Sequence, residues 1–141
     1  MGCVLIKISD VEARLKTIKD FKRVGIAADL ATIKDLRQFV PAAYVLPASS
    51  EGTDSLYSNT SDAVIGDTFV VYIVARNVKD TRGAAATQTL EPLRIKVYDT
   101  LVGWLPPSGH SEFFYRRGKI DRFDDQCIYW RDEFSASRLC Q

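Results

Sequence analysis

The amino-acid sequence predicts an α+β fold: a mostly antiparallel or mixed sheet of four to six strands with helices packed against it. Three observations carry this expectation. Leu90, Leu93, Val97, Leu101 and Trp104 recur at steps of three and four, which draws one apolar stripe along a principal helix over about 89–104. Thr68-Phe69-Val70-Val71-Tyr72-Ile73-Val74-Ala75 is apolar at successive positions, as expected of a strand covered on both faces in the middle of a sheet. The last third adds aromatic, strand-like runs at Glu112–Arg117 and Gln126–Ser135, so helices and strands come in mixed order rather than in strict alternation.

From the N-terminus, Ser9-Asp10-Val11-Glu12 has the pattern of a capping box, with Ser9 and Glu12 each able to satisfy an orphan amide. Val11, Leu15 and Ile18 follow at helical spacing, so a first helix is expected over about 10–19. Phe21–Ala27 suits a short strand, and Asp29–Phe39 a weaker helix that Pro41 stops. Ala42–Leu46 is a strand bracketed by Pro41 and Pro47, which predicts an edge position or a strand confined to those residues.

Ala48–Gly66 is a long polar stretch that also holds Leu56, Tyr57, Val64 and Ile65. It reads equally as a hairpin tip and as an arm that orders against a neighbour, because long connections tend to carry function. In the principal helix, Pro92 is harmless if the helix starts near Thr89, in whose first turn a missing donor costs nothing, whereas a start at Ala84 should place a kink there. Gly103 and Pro106-Pro107 end the helix. A further strand is expected over Lys119–Phe123, with Gly118 marking a tight turn or bulge.

The 141 residues fit one domain over 1–141 with one substantial core. The net charge of +1, from 19 basic and 18 acidic residues, gives no electrostatic reason to expect broad nucleic-acid or membrane binding. No apolar run approaches the ~20 residues of a membrane helix. The opening Met1-Gly2-Cys3-Val4-Leu5-Ile6-Lys7 is expected to be neither a secretory signal nor a myristoylation start, since Ile6 stands where the latter wants Ser or Thr. Cys3, Cys127 and Cys140 are an odd set without a CxxC pair, which favours reduced thiols in a cytoplasmic setting. Asn59-Thr60-Ser61 is then a chance match to a glycosylation acceptor.

Catalytic vocabulary is sparse. His110, the single histidine, sits in the turn-like Pro106–Ser111 segment with no nucleophile elbow in the sequence. Cys3, His110, Cys127 and Cys140 lack the paired spacing of a zinc site, and no calcium loop is present. Asp121, Asp124 and Asp125, then Asp132-Glu133, are interleaved with Arg122 and Arg131, which reads as solvated or paired surface charge rather than acid–base chemistry. Gly25 and Gly83 stand alone, so no phosphate loop is expected. Arg116-Arg117-Gly118-Lys119 beside Phe113, Phe114 and Tyr115 could serve a single strand of nucleic acid, but the neutral net charge favours a strand with its basic end in water. No catalytic residue, metal or cofactor is expected, and the chain is not expected to be an enzyme.

Several of these segments together resemble the phage tail terminator (tail completion) family of long-tailed phages. They are the early amphipathic helix, Pro41-Ala42-Ala43-Tyr44-Val45-Leu46-Pro47, Val74-Ala75-Arg76-Asn77, Leu101-Val102-Gly103-Trp104-Leu105-Pro106, the Tyr115…Gly118 turn and Tyr129-Trp130-Arg131-Asp132-Glu133-Phe134. The resemblance covers most of the chain and transfers no functional residue one by one. It implies a structural virion protein at the head-proximal end of the tail, assembled in the host bacterial cytoplasm. It further implies a homohexameric ring that caps the tail tube, stops its polymerisation and offers the joint to the head connector. Another connector component, a stopper or adaptor, is the alternative. The implied partners are other copies of the chain, the tail tube protein and the head–tail connector, with no membrane and with DNA only in transit through the lumen. On that reading the expected subunit or tube contacts are Asp54, Leu56 and Tyr57 in the 48–66 arm, then Arg82, Arg116, Arg117, Arg122, Asp125, Arg131 and Asp132.

Overall fold

The computed structural model describes residues 5–30, 39–52, 63–76, 84–124 and 127–140. Its elements run α1 (Ile8–Leu15), β1 (Arg23–Ile26), α2 (Ala27–Leu30), β2 (Ala42–Gly52), β3 (Ala63–Arg76), α3 (Ala84–Leu101), β4 (Phe114–Asp124) and β5 (Cys127–Cys140). The five strands form one sheet in the order β1-β2-β3-β5-β4. β1 pairs parallel with β2, and the other three ladders are antiparallel. The fold is therefore α+β with a mixed sheet, as the pattern of elements predicts.

The strand that is apolar on both faces takes the centre. Alternation along β3 sends Phe69, Val71, Ile73 and Ala75 to the side of α1 and α3, where they join Val11, Leu15, Leu90, Leu93, Val97 and Leu101 in the main core. Fully burying each of these side chains larger than alanine contributes roughly 1.5–3 kcal/mol. Val74 points to the opposite side and packs with Val40, Ala42, Tyr44, Cys127 and Tyr129 in a second, smaller cluster. This is the open side of the sheet, the one that α1 and α3 do not cover.

Several boundaries differ from expectation, each for a local reason. α1 starts at Ile8 with Lys7 as its N-cap and no side-chain cap bond, so Ser9 and Glu12 lie inside the helix and form no capping box. It ends at Leu15 rather than near Lys19. The amides of Thr17 and Ile18 bond back three residues, to Arg14 and Leu15, and the Thr17 hydroxyl donates to the Arg14 carbonyl at 2.7 Å. α3 begins at Ala84, a turn or more before Thr89, which puts Pro92 inside the helix. Three successive alanines, the best helix formers, favour that early start. Gly103, with φ +84°, closes the helix in the left-handed region.

β2 does not stop at Pro47. It runs on to Gly52 and pairs with β3 through an irregularity between Pro47 and Ser49, a place where a strand tolerates proline. Ala42–Val45 have their partners on β1, and from Leu46 onward the outer side of β2 has no strand partner among the described residues. The flanks of the expected long loop are thus a ladder, from Ser49↔Thr68 to Gly52↔Ile65. Residues 53–62 of the expected arm lie outside the described residues, as do 31–38 of the weaker helix expected over Asp29–Phe39. The two strands expected at Glu112–Arg117 and Lys119–Phe123 are one strand, β4. Register shifts fall on both sides of Gly118, at Tyr115/Arg117 and Ile120/Arg122.

Candidate functional site: the two sides of the β4–β5 ladder

Among the described residues β4 is an edge strand, paired in the sheet with β5 alone. Long edge strands invite pairing with another chain unless bulges and charges blunt them. β4 has both. Alternation divides its charges and those of β5 between two environments.

On the helix side, Asp132 is buried at 2% exposure. Its Oδ1 accepts from the Tyr115 hydroxyl at 2.9 Å and from the Trp130 indole N–H at 2.8 Å. The Arg94 guanidinium of α3 lies 3.5 Å from the same oxygen and 4.0 Å over the Trp130 ring. Burial first, and then the hydrogen bond to Asp132 and its negative charge, push the Tyr115 phenol above its ordinary pKa. Gly118 sits directly opposite Asp132, and a Cβ there would fall inside van der Waals contact of Asp132 Oδ1 and the Tyr115 hydroxyl. The glycine is what allows β4 to come this close. Beside the cluster, Glu91, Arg94, Ile95, Tyr98, Tyr115 and Asp132 line a groove of about 450 Å³ between α3 and β4.

On the open side, Phe114, Arg117, Lys119 and Arg122 stand opposite Ser135, Glu133, Arg131 and Tyr129. Arg117, whose side chain is 73% exposed, is ion-paired with the buried Glu133 through Nε. Arg131 reaches the other oxygen of Glu133 at 3.3 Å. Burial pushes the Glu133 carboxyl up, but Arg117 and Arg131 together outweigh burial and hold it below the usual carboxylate range. Arg122 lies 4.3 Å over the Tyr129 ring. Arg117, Lys119, Arg131 and Glu133 surround a hollow of about 220 Å³, lined by three cations and one carboxylate, which pairs with the two arginines.

The residues expected at an interface therefore divide. Arg117, Arg122 and Arg131 come together on the open side. Arg116 is exposed and falls in the register shift between Tyr115 and Arg117. Asp132 is not surface charge: it is enclosed beneath α3, because its parity on β5 sets it opposite Arg131 and Glu133. Glu133 is buried as well; both carboxylates are paired, Asp132 with Arg94 and Glu133 with Arg117 and Arg131, but neither lies at the surface, so of the expected solvated or paired surface charge only the pairing holds. Asp54, Leu56, Tyr57, Arg82 and Asp125 lie outside the described residues. Lys119 and Glu133 are not among the contacts expected from the sequence, although period-two alternation from Arg117 and Arg131 places them on the same side.

His110 is exposed, and its backbone N–H donates to the Ser137 carbonyl at 2.6 Å. Among the described residues, no group of three or more His, Cys, Asp or Glu is placed to hold a metal. No helix among them is long and apolar enough to cross a membrane. The described residues of the groove between α3 and β4 include no histidine, serine or cysteine.

What these strands and helices define is a small α+β protein whose distinctive surface is a charged edge ladder. The phage tail terminator family model matches residues 1–140, and the chain belongs to that family. It is a structural protein of the phage virion, located in the tail. Among solved structures, a chain described as "Virion of native gene transfer agent (GTA) particle" is similar at 21% identity and a TM-score of 0.44, over 70% of this chain and 69% of that one. No curated protein matches the sequence.

Proposed function

We propose that this chain, acting as one domain, assembles into a ring of six copies at the head-proximal end of the tail tube. There it ends tube polymerisation and forms the joint to the head connector, with DNA passing through the lumen and no cofactor involved. The observation that carries the reading is the β4–β5 ladder of a tail terminator family member: an eleven-residue edge strand with Arg117, Lys119 and Arg122 along one side. A closed ring needs heterologous contacts, in which one patch meets a different patch on the next copy. Charges set in fixed register suit such contacts, because they supply orientation and selectivity more than raw affinity. The remaining residues of this reading are Asp54, Leu56, Tyr57, Arg82, Arg116, Arg131 and Asp125 as ring or tube contacts, with Asp132 acting from beneath the ladder by holding Tyr115 and Trp130.

The test is the native mass of the purified protein, alone and with purified tube protein. The expected result is a discrete multiple of the chain and tubes that stop growing once it is added. A chain that stays monomeric under both conditions refutes the ring. Cryo-microscopy that places the ring against the portal side with no tube contact would turn the reading into that of a stopper or adaptor.

A further inference from the structure

The molecule carries two outward surfaces of opposite sign on opposite sides of its sheet. On the open side, Lys119 stands directly opposite Arg131, and like charges set opposite each other in a ladder destabilise it. Glu133, the carboxylate within their hollow, is already shared between Arg117 and Arg131. Among the described residues neither Lys119 nor Arg122 has an ion-pair partner, and Arg122 lies over the Tyr129 ring. An incoming carboxylate would relieve this excess.

On the helix side, α3 turns Glu91, Ile95, Tyr98 and Asp99 outward at steps of three and four, which makes one continuous stripe. Ile95 is 61% and Tyr98 45% exposed, beside the groove that separates α3 from β4. Neither Glu91 nor Asp99 has an ion-pair partner among the described residues, while nearby Arg94 is committed to Asp132 and Lys96 to Asp20. The stripe is apolar at its middle and acidic toward its ends.

We propose that the outer stripe of α3 in one copy docks on the basic open side of β4–β5 in the next copy. This contact rests on the ring reading above and gives it a polarity. Two open sides repel each other, as do two α3 stripes, so the surfaces do not pair about a two-fold axis. They join head to tail, which is the heterologous geometry that closes a ring. Phe114, 50% exposed on the basic side, adds an apolar side chain to meet Ile95 and Tyr98.

The test uses two full-length variants, Lys119→Glu/Arg122→Glu and Glu91→Lys/Asp99→Lys, with urea midpoints to establish that each is folded. Exposed substitutions of this kind usually move stability by only ~0.5 kcal/mol. Native mass of each variant should fall from that of the ring to that of one chain. An equimolar mixture should regain the ring, because each reversed surface then finds its complement on the other variant. Wild-type assembly by either variant overturns this contact and leaves the ring reading standing. So does a mixture that stays monomeric. A basic-side variant that keeps the ring but loses salt-dependent binding to a duplex DNA probe overturns it in favour of a phosphate-binding face. Wild-type protein that is monomeric with and without tube removes the ring and this contact together.

Discussion

Asp67 and Arg138 offer the sharpest test of how the sheet is held together. The two lie 71 residues apart in sequence, and the Arg138 Nε donates to Asp67 Oδ2 at 2.7 Å. Each side chain is only 7% exposed. The Ser50 hydroxyl donates to the other carboxylate oxygen, so the pair binds β2, β3 and β5 at one end of the sheet. The arginine Nη1 is buried with no hydrogen-bond partner among the described residues. Removing the carboxylate with Asp67→Ala leaves a buried, uncompensated guanidinium. Breaking a buried pair in this way costs about 3–5 kcal/mol. A chain of this length has a total stability on the order of 7–21 kcal/mol, so the loss is a large share of it. With a urea slope of about 2 kcal/mol/M, the midpoint should fall by about 2 M. The double variant Asp67→Leu/Arg138→Met should recover most of that, because it removes both desolvation penalties and the orphaned Nη1 along with the attraction. A single variant costing under about 1 kcal/mol, or a double variant no more stable than Asp67→Ala, would refute this account.

Two further outcomes follow from the other buried charges. Gly118→Ala should cost about 2–3 kcal/mol and alter tryptophan fluorescence, since the new Cβ displaces Asp132 from Tyr115 and Trp130; an unchanged urea midpoint would show that β4 can move aside. Glu133 is held below its ordinary pKa when folded, so its contribution is present above the unfolded value and is lost as pH falls through the folded one. The gap in urea midpoint between wild type and Glu133→Gln should therefore be widest near neutral pH and narrow as pH falls below the ordinary carboxylate range, and a gap that does not change with pH would contradict the pairing with Arg117 and Arg131.

The local elements were largely legible in the sequence, because helix and strand periodicities are properties of a single segment. The stripe Leu90, Leu93, Val97, Leu101 marks the buried side of α3, and the two-sided apolar run Thr68–Ala75 lies in β3, the centre of the sheet. Alternation likewise separates Asp132 from Arg131 and Glu133. It does not say which side receives the helices, and a slip of one residue in register would exchange them. Tertiary packing made that choice, with α3 and Phe134 on the side of Asp132, and so turned an expected surface charge into a buried acceptor. Pairs such as Asp67–Arg138 had no sequence signal at all, since their partners meet only after β3 and β5 are in register. Composition and period state what each segment can bury; the long-range pairing of strands, closed against the entropy of the chain between them, decides which charges are buried together and which remain to face another molecule.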